Sequence, residues 1–207
     1  TQLPATIGVA RRAILFMLLL FVARAGLAGE QVSVCGPDAA EPCVEWGKAR
    51  LEESLRAAGY ELAPGGKRVV TISVDPSRLP MTHKGRGPES FRLVASQDRV
   101  SVVGSDSAGA MYGCLELAEL ARRAVRLPEQ LDQCDGPRMS LRGTCIFLMK
   151  LGSYDYPVTP KEFPFFYDRK LWTEYLDFLA ENRFNYIAFW NGHPFDYFVK
   201  LEEYPEA

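Results

Sequence analysis

Histidine is scarce in this sequence. His83 and His193 are the only two, and they lie far apart. No Cys-x-x-Cys pair and no Cys/His spacing accompanies them, so no zinc site is legible. Long apolar runs are missing too. The uncharged stretch Ala13 to Ala23 has about eleven residues, against the roughly twenty that a membrane-spanning helix needs. An excess of one charge is also lacking: the formal net charge is −2 and the pI about 5.8. That excludes the basic footprint of a nucleic-acid partner. The glycine-rich passage around Gly109 has no Gly-Lys-Ser/Thr end and no dinucleotide spacing, so it does not read as a phosphate loop.

What is present is an ordinary globular composition, 47% hydrophobic and 24% charged, over 207 residues. Aromatic residues make up 12% and crowd into the last third. The chain opens on Thr1, which suggests that it is incomplete at its start. Arg11 and Arg12 precede the apolar run, and Gly26-Leu27-Ala28 follows it. A basic start, a short apolar stretch and a small-residue cleavage site together read as a secretory signal peptide over 1–28. The mature chain is then expected to begin near Gly29 or Glu30, exported to the periplasm or beyond, with no stable membrane insertion after cleavage. An uncleaved anchor or a buried helix is the competing reading, and the arginine pair is only a weak twin-arginine pattern. Of the five cysteines, Cys35 and Cys43 are near enough in sequence for a bridge. Cys114 and Cys145 sit in apolar surroundings and read as buried thiols.

Along the chain, Glu41 to Tyr60 has helical spacing of Val44, Leu51, Leu55 and Ala58, with Gly59 as a stop. Arg68 to Asp75 alternates as a strand, and 76–89, with three prolines and two glycines, reads as a loop. Ser90 to Ala95 and Arg99 to Gly104 flank the turn Ser96-Gln97-Asp98 and predict a hairpin. Asp106 or Ser107 caps the next helix, with Met111, Leu115 and Ala118 as its apolar face. Gly109 and Gly113, four apart, share a face where another backbone can approach closely. Residues 124–140 read as a linker. Arg142 to Met149 is a nearly continuous apolar run, suited to a strand buried on both faces. An aromatic loop over 150–168 leads to a helix capped by Asp168 and running from Arg169 to about Asn182. Phe184 to Trp190 is a second buried-type strand. Strand, helix and strand in that order predict a βαβ unit with a parallel pair. A (β/α)8 barrel needs eight such strands over about 250 residues, so only its start is expected here.

The order from Arg68 to Leu120 resembles the small domain that precedes the barrel in the family 20 β-N-acetylhexosaminidases and the family 67 and 115 α-glucuronidases. The residues that carry the resemblance are Val102-Val103-Gly104, then Ala108-Gly109-Ala110-Met111-Tyr112-Gly113 and Leu115, and then Pro137 to Gly143. The match covers roughly half the chain. It implies a small α+β domain (30–123), a linker (124–140) and the truncated start of a TIM barrel (141–207). It also implies a glycosidase with a carbohydrate substrate. In the hexosaminidases an arginine at the Arg142 position binds substrate sugar. The hexosaminidases usually carry an aspartate and an Ala-Arg-His run after the first strand. Here Met149-Lys150-Leu151-Gly152 stands in that place.

Glycoside hydrolysis generally needs two carboxyl groups flanking the bond. In the resembling families they come from later barrel strands, so no catalytic residue is assigned within this chain. Asp155, Glu162 and Asp196 follow the two strands, as substrate contacts or, more simply, as solvated loop charges. Candidate substrate-binding residues are Arg142, whose guanidinium fork suits sugar hydroxyls, and Asn191 and His193, which directly follow the second strand. Arg142 can equally pair with an acid, and Asn-Gly and His-Pro are also turn formers. Trp190 and the aromatics of 154–167 either stack on sugars or fill the space between helix and barrel. No cofactor and no metal is expected. The rivals are a non-catalytic carbohydrate-binding or surface protein with the same architecture, and an exported barrel enzyme of another class, such as a metal-dependent hydrolase.

Overall fold

A computed structural model describes residues 29–37, 39–80, 87–124, 126–148 and 159–191. The expected signal peptide, His83, Asp155, His193 and Asp196 lie outside these residues. The chain divides into two compact units, Thr1–Arg138 and Met139–Ala207.

The first unit is an α+β layer. Its strands are β1 (Gln31–Cys35), β2 (Glu61–Leu62), β3 (Arg68–Val74), β4 (Phe91–Ser96), β5 (Arg99–Gly104) and β6 (Gln130–Asp135). They form one sheet in the order β2-β1-β3-β5-β4-β6. The expected hairpin is present as the antiparallel pair β4–β5, while β1–β3 and β3–β5 are parallel. Helices α1 (Pro42–Ala57) and α2 (Ser107–Ala124) pack against the sheet. Val32, Val70, Phe91, Leu93, Val100 and Val102 meet Leu51, Leu55, Cys114 and Leu117, all at 1% exposure or less. Each such aliphatic or aromatic burial contributes roughly 1.5–3 kcal/mol. Period-2 alternation does the sorting: Val70 and Ile72 are buried, while Thr71 and Ser73 lie on the other face.

Three sequence expectations change here. The span 124–140 is not simply a linker, because β6 pairs antiparallel with β4 along its whole length. Its inner face carries Leu131, Gln133 and Asp135, too little apolar character to announce a strand. The buried face of α2 includes Met111 and Ala118 as expected but centres on Ala110, Cys114, Leu117 and Ala121 at 0% exposure, with Leu115 only partly buried. This helix is covered by both the sheet and α1, so its buried arc is wider than one stripe. Cys35 and Cys43 are both free thiols. Cys35 is exposed and shares its strand side with Ser33, the Sγ and Oγ being 3.5 Å apart. Val32 and Val34, on the alternate side, pack into the core that α1 helps to form.

The glycines in α2 and at the end of β5 have a packing role. A Cβ at Gly109 would run into the Ser90 carbonyl oxygen, and one at Gly104 into the Ala110 amide. A Cβ at Gly113 would lie 2.6 Å from Val102 Cγ1. The expected close approach of a second backbone is therefore met at Gly109. A buried knot ties the other end of the sheet. Arg68, 5% exposed, donates to the carbonyls of Gln97 at 3.1 Å and Leu127 at 3.3 Å and to the Tyr60 hydroxyl at 3.4 Å. Tyr60 Oη in turn accepts the Leu127 amide at 2.9 Å.

The second unit holds β7 (Gly143–Leu148), α3 (Arg169–Glu181) and β8 (Tyr186–Asn191). β7 and β8 pair in parallel, with Gly143 opposite Tyr186 and Leu148 opposite Asn191. Asp168 caps α3 by accepting the Leu171 amide at 3.1 Å. A 3-10 turn, Pro164–Tyr167, precedes it. Among the described residues this pair is covered on one face only, not on both as the apolar runs predicted. Cys145, expected to be buried, is exposed for that reason.

Candidate functional site

The chemistry-bearing residues of the second unit fall at two ends of the β7–β8 pair. At the start of the strands, Arg142 is held by its neighbours. Its Nε donates to the Arg183 carbonyl at 2.7 Å and its Nη1 to the Met139 carbonyl at 2.7 Å. Its backbone amide donates to Asn185 Oδ1 at 2.9 Å, and Asn185 Nδ2 donates to the Ser140 carbonyl at 2.8 Å. The amides of Asn185 and Tyr186 both return to the Arg142 carbonyl. This clasp sets the register in which β8 joins β7. Arg183 makes the turn before β8 with φ +61°.

Asn191 is the last residue of β8 and so sits at the opposite, C-terminal end. His193 lies beyond the described residues. The structure therefore places Arg142 and Asn191 at different ends of the pair and does not bring the three expected residues together. Glu162 follows β7 in the chain, half-buried, with its amide donating to the Thr159 carbonyl at 3.1 Å.

The two faces of the pair differ. One carries Thr144, Ile146, Ile187 and Phe189, and Phe189 packs on Trp172 and Phe166 with ring centroids 5.6 and 6.2 Å apart. Trp172 Nε1 donates to the Phe166 carbonyl at 2.8 Å, which satisfies its one polar group. The other face carries Gly143, Cys145 and Phe147 opposite Tyr186, Ala188 and Trp190. Phe147 and Trp190 are 56% and 64% exposed, and they meet edge to face at 5.8 Å. Phe147 escaped the sequence reading because a continuous apolar run hides which residues share a face. The step of two from Cys145 to Phe147 was the available signal.

In the first unit the start of α2 is occupied by the protein's own groups. Asp106 Oδ1 accepts the Gly109 amide at 2.7 Å and Oδ2 accepts the Glu89 amide at 2.7 Å. A carboxylate already stands where an anion would bind. Two other titratable groups are bound up in the fold. Asp132 takes a fork from Arg92 at 2.9 Å, whose hydrogen bond holds its carboxyl below the usual range. Burial pushes the Cys114 thiol up to about 12. No group of three His, Cys, Asp or Glu side chains converges among the described residues. No helix among them is long and apolar enough to cross a membrane.

No protein-family profile matches the chain, and no curated protein matches it. Solved structures do. A GH138 enzyme targeting pectin rhamnogalacturonan II superposes with a TM-score of 0.70 at 33% identity, over 84% of this chain and 26% of its own. A GH115 4-O-methyl-α-glucuronidase with specificity for decorated arabinogalactans gives a TM-score of 0.55 at 16% identity, over 79% of this chain and 25% of its own. A GH84 structure gives 0.53 at 15% identity, over 82% and 28%. The last two likenesses speak to the fold alone. The chain thus spans about a quarter of the length of the enzymes it matches. The resemblance to glycoside hydrolases read from the sequence holds in three dimensions: this chain fits a portion of such an enzyme, an α+β domain with a parallel βαβ unit after it.

Proposed function

We propose that the whole protein is an exported glycosidase acting on a plant cell-wall glycan of the pectic class. In this reading the unit 139–207 opens a (β/α)8 barrel, and the catalytic carboxylates come from barrel strands outside this chain. The observation that carries the proposal is the 33% identity, over 84% of the chain, to an enzyme that targets pectin rhamnogalacturonan II. The geometry supports it in two ways. β7 and β8 are parallel with α3 on one face, the repeating unit of such a barrel. The other face is apolar and open, as a barrel interior is before its remaining strands close it.

Within that frame, sites form at the C-terminal ends of strands. Asn191 ends β8 there, His193 comes two residues later in the chain, and both would bind sugar hydroxyls. Arg142 stands at the other end. Its donors serve the clasp with Met139 and Arg183, so its part is to position β8. The acid pair that cleaves the bond would sit across the same mouth, one group protonating the leaving oxygen and the other acting as base or nucleophile.

The test is to express the full-length protein and incubate it with rhamnogalacturonan II oligosaccharides. Release of a sugar is expected. Binding without release would favour the non-catalytic reading, and neither binding nor release on any pectic glycan would sink the proposal. Export is checked by the mass of the secreted protein, which should begin near Gly29.

A further inference from the structure

We infer that Phe147 and Trp190 form an aromatic platform that holds the apolar C–H face of a sugar ring. The inference rests on the glycosidase reading above and names two residues of its binding site. The two side chains stand opposite each other in the β7–β8 register. Their centroids are 5.8 Å apart and their planes 78° apart. Each is the last residue but one of its strand, so the pair lies at the C-terminal ends, on the face turned away from α3.

The same unit shows what an aromatic residue used for packing looks like. Phe189 is enclosed by Trp172 and Phe166, and Trp172 has its N–H bonded. Phe147 and Trp190 are built differently. The next residues on their face are Cys145 and Ala188, then Gly143 against Tyr186. Small side chains leave the two rings standing clear of the sheet. The edge-to-face contact lets one ring buttress the other while leaving a π-face free. A sugar ring offers a matching surface, with C–H groups on its face and hydroxyls at its rim. The rings would bury the first and leave the hydroxyls at the rim open to hydrogen bonding.

The experiment uses the full-length protein with rhamnogalacturonan II oligosaccharides as the probe. In the wild type, indole oxidation is mapped by peptide mass spectrometry with and without the oligosaccharide. Trp190 should react when free and be protected when the glycan is bound, while Trp46 and Trp172 should not change. Trp190→Ala and Phe147→Ala should each raise KM about tenfold, as expected for loss of one aromatic contact, with kcat little changed. Should either variant fail to fold, Trp190→Leu and Phe147→Leu keep an apolar side chain without an aromatic face and read the same KM shift, and the wild-type protection needs no variant. A pure packing role predicts the reverse: lower melting temperatures, unchanged KM and no protection. Trp190 remaining equally reactive while the glycan is bound or cleaved would overturn the platform and leave the glycosidase reading standing. Failure of the wild type to bind or cleave any pectic glycan would sink that reading, and the platform with it.

Discussion

The two units solve the same problem, covering an apolar sheet face, to different degrees. In residues 29–138 the sheet is roofed by α1 and α2, and nearly every large hydrophobic residue that is fully withdrawn from water lies there. In the second unit no described hydrophobic residue is fully withdrawn, and Leu179, 7% exposed, is the only buried one. Conversely, among the described residues every exposed large hydrophobic side chain but Val74 lies at or beyond Met139. α3 tells the same story, because Leu171 and Phe178 are exposed on one flank. On the other, Leu176, Leu179, Ala180, Phe184 and Ile187 line an open groove of about 290 Å³. The difference teaches that the apolar face of the first unit's sheet has its own helical roof, whereas the second unit, among the described residues, leaves one sheet face and a helix flank uncovered.

Excision is the strongest test of this contrast. Residues 29–138 alone should melt cooperatively. Residues 139–207 alone should show no cooperative transition and should bind a hydrophobic dye, because their strand edges and apolar faces are uncovered. A sharp melt of the smaller piece would break the comparison. Within the first unit, Gly109→Ala should cost roughly 3 kcal/mol or more, since the new methyl meets backbone and cannot be accommodated by a rotamer change. Denaturant titration would read it, and a cost under about 1 kcal/mol would mean that the helix shifts freely. Arg68→Met should cost about 2–3 kcal/mol, because it strips a donor from the buried carbonyl of Leu127 and from that of Gln97. The smallest effect concerns pH. Hydrogen bonds from Arg92 to Asp132, from Arg123 to Glu119 and from Ser77 to Asp75 lower those carboxyl pKa values. A depressed folded pKa means that the stabilisation is present above the unfolded value, about 4, and is lost as pH falls through the folded value. The melting temperature of 29–138 should therefore decline modestly below about pH 4, and Asp132→Asn should flatten part of that slope.

Much of the secondary structure was legible. β3, β5, α1, α2 and α3 follow from alternation or helical spacing, with Asp106 and Asp168 as caps. β1 was not read, although Val32 and Val34 alternate, because it lies directly behind the expected cleavage site. β6 is an edge strand of Gln-Leu-Asp-Gln-Cys-Asp, recognisable only through its partner, where Asp132 meets Arg92 across the pair. Of the candidate site, the sequence pointed to the end of β8 but not to Phe147. It also offered Arg142 either a sugar-binding part or a pairing one; its Nε and Nη1 donate to the carbonyls of Arg183 and Met139.

The sequence by itself determined the local elements, the α+β character of the first unit and the strand–helix–strand order of the second. Those features depend on periodicity and capping, which act over a few residues. Only the tertiary structure decided that β6 completes the sheet and that Cys35 faces away from the core to which Cys43 packs. It alone decided that Arg142 clasps the start of β8, and that Phe147 and Trp190 share an open face. Each of these depends on which strand lies beside which, and in what register, and pairing between distant segments leaves no trace in the local pattern.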